Sequence, residues 1–257
     1  MKMLQQKGYL LLLGTLLAGA CQQPDSHSSS TATADSLHQL AARYYDGSMA
    51  LNPLQATQNG ENQYNDQLPI DIGEAYRAKA DSFYASFQQA IKGIDTAVLS
   101  GNDRITYDML QREFSTNREA LTFHDYLMPV QQFTCLPLTI TQLASGTSAQ
   151  PFKTVTDYHN FMHRMERFAI WTDTAIANMR QGIATGYVLP KSLVVKVIPQ
   201  LTDLAKKDTA NNVYYGPLKM LPDSLDAAAK ATLVKDYNDA IETYILPSFA
   251  KLSNFMQ

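Results

Sequence analysis

Residues 156–184 read TDYHNFMHRMERFAIWTDTAIANMRQGIA. Tyr158, Phe161, Met162, Met165, Phe168, Thr172, Ile176, Met179 and Ile183 recur at helical intervals along one side. That is the signature of a long amphipathic helix. Arg164, Arg167 and Arg180 fall largely away from this stripe and are read as its wet side. Gly186 supplies a stop and Pro190 a first-turn residue for the next helix. There Leu193, Val197, Leu201 and Leu204 share a face, and Pro199 is expected to kink it. A last helix is expected over residues 223–257, with Pro247 as a second kink.

Moving toward the N-terminus, residues 122–153 carry Pro129, Pro137, Pro151 and Gly146 and read as irregular. Before them, Ile105, Met109, Leu110 and Phe114 predict the inner face of a helix that starts near residues 102–103. Asp71 and Glu74 are spaced like a capping box, ahead of a stripe of Tyr76, Ala80, Phe83, Phe87, Ile91 and Ile94. A first helix is predicted over residues 36–51, with Leu37, Leu40, Ala41 and Tyr44 inward and Asn52-Pro53 closing it. No alternating apolar stretch bounded by hairpin turns is present, and no repeat of fixed period. The expected fold is all-α, a multi-helix bundle-like array with kinked helices.

The chain has 257 residues and 45% hydrophobic content, enough to bury a core as one large domain or two small ones. Its net charge is −3, and loss of Lys2 and Lys7 with a leader would make it more acidic. That balance gives no electrostatic footprint for nucleic acid. Two cysteines exclude a disulfide scaffold and a cysteine-rich zinc site.

The N-terminus reads as an export address. Lys2 and Lys7 precede an apolar run over residues 9–17, and Ala18-Gly19-Ala20-Cys21 follows. The run is too short to span a bilayer. Residues 1–20 are therefore read as a signal peptide. The stretch Leu16-Leu17-Ala18-Gly19-Ala20-Cys21 resembles a bacterial lipobox, although the usual leucine three residues before the cysteine is Ala18 here. Cys21 is the expected lipidation site, and the alternative is an ordinary signal cleaved nearby. Residues 21–34 are polar and Ser/Thr-rich, the composition of a flexible tether. The helical domain is expected over residues 35–257, held to a membrane of the cell envelope, with the outer membrane favoured by Gln22.

Few residues point to chemistry. His159 and His163 stand one helical turn apart, a spacing that can seat a metal. Asn160 occupies the place of a general-base glutamate, no third ligand is evident, and two edge histidines are the simpler reading. His124-Asp125 is a candidate half of an acid–base pair. Cys135 lies among apolar neighbours and reads as a buried, inert thiol. Neither a nucleophile elbow nor a phosphate-binding glycine loop occurs. Hence no catalytic, cofactor-binding or metal residue is assigned.

Three segments carry a resemblance. The first is Asn52-Pro53-Leu54-Gln55-Ala56-Thr57 with Gly60 and Tyr64-Asn65-Asp66-Gln67-Leu68-Pro69. The second is Leu99-Ser100-Gly101-Asn102-Asp103-Arg104-Ile105-Thr106-Tyr107-Asp108-Met109-Leu110. The third runs from Arg180 through Gly182-Ile183-Ala184-Thr185-Gly186 to Pro190. In order and spacing they resemble DUF885, a bacterial family of unknown function. The resemblance implies a mostly helical fold and a zinc-peptidase activity whose HE-x-x-x-GH helix lies in a C-terminal half. No His-Glu pair occurs in this sequence, so no catalytic residue is carried over. The expectation is therefore the N-terminal part of a larger peptidase-like fold, apparently truncated and inactive alone. Zinc is implied only for longer relatives. Expected partners are the membrane, a peptide substrate or the missing C-terminal half. The alternative is a non-enzymatic envelope lipoprotein that binds a peptide or protein. Residues Tyr237, Ile241, Tyr244, Phe249, Leu252 and Phe255 are expected to leave an apolar surface uncovered.

Overall fold

The longest helix, Val155–Thr185, is the one on which the C-terminal helices pack. The structure, a computed structural model, describes residues 26–257, with side chains from residue 31. The predicted signal peptide and Cys21 lie outside the described residues. Among the described residues there are helices, turns and coil, and no strand.

The major helices are α1 (Ser26–Leu51), α2 (Pro53–Gln58), α3 (Glu74–Ala90), α4 (Gly101–Ala120), α5 (Leu136–Leu143), α6 (Val155–Thr185), α7 (Lys191–Leu204), α8 (Ala227–Ala240) and α9 (Leu246–Met256). Helix α1 begins ten residues before the expected start, so residues 26–34 of the predicted tether are helical here.

Two cores result. Helices α1, α3 and α4 enclose a smaller one around Leu37, Leu40, Ile91, Tyr107 and Phe114, flanked by Leu51, Ala80 and Tyr84. Helices α5 to α9 enclose the larger one, in which α6 packs on α8 and α9 and α7 packs on α9. Tyr158, Phe161, Phe168, Trp171, Tyr214, Tyr237 and Phe249 fill it. Each such side chain contributes about 1.5–3 kcal/mol through removal from water.

Helix α6 obeys its sequence. Thr154 accepts from the Asp157 N–H while Asp157 reaches back to the Thr154 N–H, closing a capping box. Gly186, at φ 83°, ends it in the left-handed conformation. Two predicted sides are reversed, however. Arg164 is fully buried and Ile183 is 63% exposed.

Other helices also depart from expectation. Helix α3 starts at Glu74, capped by Gly73 without a side-chain bond, so Asp71 is not its cap. On α4 the inward face is Tyr107, Leu110 and Phe114, while Ile105 and Met109 are exposed. The segment expected to be irregular contains α5, started by Pro137 in its first turn and burying Ile140 and Leu143. Before Pro247 the last helical stretch widens into a π-type turn, Ile241–Ile245. Such a turn absorbs the amide that proline lacks. The apolar side of α9 is covered by this chain's own core: Phe249 and Leu252 are fully buried, as are Tyr237 and Ile241 before it. The uncovered apolar residues lie elsewhere, at Ile183, Tyr187, Val188 and Val195.

Candidate functional site

The DUF885-like first segment folds into a polar knot around Arg164. Its guanidinium donates to the carbonyls of Gln67 (3.1 Å), Pro53 (3.3 Å) and Tyr64 (3.1 Å) and to Thr57 Oγ1 (2.7 Å). It also donates to Gln150 Oε1. Thr57 in turn donates toward Asn65 Oδ1 at 2.6 Å. Burial lowers the guanidinium pKa to about 10, with Asp66 opposing, so the group stays charged at neutral pH. Residues 53–68 are thus wrapped around one buried cation, and their role is architectural.

The knot sets the loop 70–73 against α6, and a cavity of about 400 Å³ opens beside it. Its walls come from both layers: Asp71 from the turn before α3 with Tyr76 and Arg77 from its start, Leu121 after α4, Asp125 and Tyr126 from the following turn, Cys135, and Trp171 from α6. Asn178 fastens two of these walls by donating to the carbonyls of Ile72 (3.0 Å) and Tyr126 (3.1 Å). Arg77 donates to the Leu121 carbonyl (2.9 Å) and lies 3.7 Å over the Tyr126 ring.

Asp71 is the central polar group. It accepts the Trp171 indole N–H at 2.8 Å. Its residue surface meets solvent, yet the carboxylate stands among many protein atoms at the cavity wall. That surrounding protein raises its pKa, chiefly by desolvation and secondarily through Asp125, against the indole bond. Cys135 donates to the Gln131 carbonyl at 3.0 Å, and burial pushes its thiol pKa up, which keeps it a poor nucleophile. A smaller apolar groove of about 170 Å³ adjoins, sharing Met128 and lined by Leu127, Met179, Tyr187, Val194 and Phe255.

The residues singled out from sequence are scattered. His159 and His163 are both exposed on α6. His163 faces a surface depression with Glu166, Asp236 and Asp239. Among the described residues no three His, Cys, Asp or Glu side chains are grouped to hold a metal. The described residues thus group no ligand set for zinc, which the resemblance implies only for longer relatives. His124 turns away from Asp125 and stacks on Tyr187, with ring centroids 4.6 Å apart, while Asp125 reaches the cavity. Sequence reasoning missed Asp71, Arg77 and Trp171 as a group. The one available signal was that Trp171 is the sole tryptophan of the chain.

The other two segments are structural as well. A Cβ on Gly182 would stand 2.5 Å from the Tyr187 carbonyl oxygen and 2.9 Å from that of Leu127. Asp103 pairs with His38 at 2.7 Å, tying α4 to α1.

Fold and cavity together define an all-helical, two-layer protein with a mixed polar and aromatic cavity where the layers meet. The chain belongs to DUF885, a bacterial protein family of unknown function, whose sequence profile matches residues 53–257. Among solved structures it is similar to a candidate lipoprotein from Colwellia psychrerythraea, with a TM-score of 0.66 and 16% identity. The match covers 86% of this chain and 41% of that one, so this chain spans less than half of its relative's length. No functionally curated protein matches the sequence. No helix among the described residues is long and apolar enough to cross a membrane.

Proposed function

We propose that the protein is an envelope lipoprotein, anchored through Cys21, whose helical domain binds peptides in the cavity between its two layers. The observation that carries this reading is the cavity itself. It is about 400 Å³ and is bounded by side chains from five separate segments, three of which supply charged or aromatic groups. That size and mixture suit a small ligand or a side chain of a larger one. In longer members of the family the same helices would form one wall of a peptidase cleft. This chain's own contribution is recognition. The export signal and the lipoprotein neighbour support the envelope location.

Trp171 tests the reading directly, because it is the sole tryptophan and touches the cavity. Titrating detergent-solubilised full chain with a pool of tryptophan-free tripeptides should shift its fluorescence saturably. A flat response would exclude the cavity as a peptide site. For the anchor, mass spectrometry should find diacylglycerol on Cys21, and Cys21→Ser should release the protein from membranes.

The purified chain is expected to carry no stoichiometric zinc and to cleave no peptide. One zinc per chain, lost in His163→Ala, would instead make α6 a metal site.

A further inference from the structure

We propose that the ligand group seated in this cavity is a cation, the side chain of a lysine or arginine residue. This rests on the reading of the cavity as a peptide site and adds the chemistry it selects. Two carboxylates, Asp71 and Asp125, face one guanidinium, Arg77, among the lining residues. That guanidinium is already engaged, by the Leu121 carbonyl and by the face of Tyr126. The Asp125 carboxylate, in contrast, forms no hydrogen bond or ion pair with any described residue, although it stands at the cavity. Asp71 spends one oxygen on the indole N–H and has no cationic partner. With both carboxylates ionised, the cavity lining carries one more negative than positive charge.

The walls favour the same occupant. Tyr76 lines the cavity beside Asp71, while the Trp171 ring is buried in the core and meets the cavity only at its margin. Aromatic rings next to carboxylates attract ammonium and guanidinium groups through both ring quadrupole and charge. The alkyl stem of lysine or arginine lies well against such rings while its head stays polar. An acidic side chain would meet two like charges against one guanidinium, and a small neutral one would leave the excess negative charge unpaired. Arg77 packed on Tyr126 already shows, inside this chain, the kind of contact that a ligand's cation would make.

The experiment uses four capped tripeptides, Ala-Lys-Ala, Ala-Arg-Ala, Ala-Ala-Ala and Ala-Glu-Ala, with detergent-solubilised full chain and Trp171 fluorescence as readout. The lysine and arginine peptides should bind at least about tenfold more tightly than the other two, with affinity falling as salt rises. Asp125→Asn, at an exposed position, should remove most of that preference and leave the melting temperature unchanged. If the alanine and glutamate peptides bind as well as the basic ones, the cavity is a peptide site without charge selection and this inference fails alone. If no peptide shifts Trp171, the peptide-site reading falls with it.

Discussion

An aspartate three residues before a glutamate can cap a helix or can turn into the protein, and at Asp71 burial of Trp171 decides between them. The indole N–H needs an acceptor once the ring is packed, and Asp71 provides it at 2.8 Å. Helix α3 then begins at Glu74 on a bare glycine cap. The consequence is measurable. The pKa of Asp71 is raised in the folded chain. The folded state therefore holds this proton to higher pH than the unfolded chain does. Stability is unaffected below the unfolded pKa and falls as pH rises through the folded value. Asp71→Asn keeps an oxygen for the indole and removes the desolvated charge. It should match the wild type in acid, and at neutral pH it should melt at the same temperature or higher. A variant that melts markedly lower at neutral pH would mean that the ionised carboxylate is held by favourable contacts. None of this is visible in the linear sequence, because the partner lies 100 residues away. Arg164 illustrates the same limit. Helical periodicity puts it off the apolar stripe, and only the three-dimensional fold brings five acceptors to it.

Helices proved legible where one apolar face meets one core, and less so where a face is shared or interrupted. The stripes of α6 and α7 follow their period closely because each lies flat on the larger core. On α4 Leu110 and Phe114 face the core as their spacing implies, but Tyr107 joins them, while Ile105 and Met109, though more apolar, point to water. Helix α5 was hidden by the prolines and small residues around it. The glycine after α6, Gly186, was readable as a stop, but not the reason for Gly182 within the helix. Gly182→Ala would drive a methyl group against two backbone carbonyls. Overpacking of this kind costs about 1–3 kcal/mol. It should also displace Leu127 and so disturb the turn that carries Asp125. Gly186→Ala is the matched control. Its Cβ meets nothing, and only the positive φ is penalised, by about 1–2 kcal/mol. Chemical denaturation should show both losses. Trp171 emission in the native state should change for Gly182→Ala alone.

At the scale of the molecule, the broad helix-to-helix contacts stay within each layer. Helices α1, α3 and α4 pack on one another, and α6 to α9 do the same. The layers are joined through the segment 53–72, whose Leu68 belongs to the larger core while Leu51 just before it belongs to the smaller one. Arg164 holds that segment by three carbonyls and the Thr57 hydroxyl, and donates besides to Gln150 outside it. Removing the cation leaves neutral acceptors without a donor, and each one that stays buried and unsatisfied costs about 1–3 kcal/mol. Arg164→Met conserves much of the volume but donates nothing, so its cost falls on the joint between the layers. The wild type should therefore unfold in one transition, with helical signal and Trp171 emission coinciding. In Arg164→Met the two signals should separate. The smaller layer should melt first, because it buries fewer large side chains, and Trp171 should report the later step. Arg164→Lys should fall between, since a single ammonium cannot reach acceptors arranged around a planar fork. Coincident signals in Arg164→Met would show that the layers are coupled by contacts other than this knot. The cavity would then owe its shape to Asn178 and Trp171 rather than to Arg164.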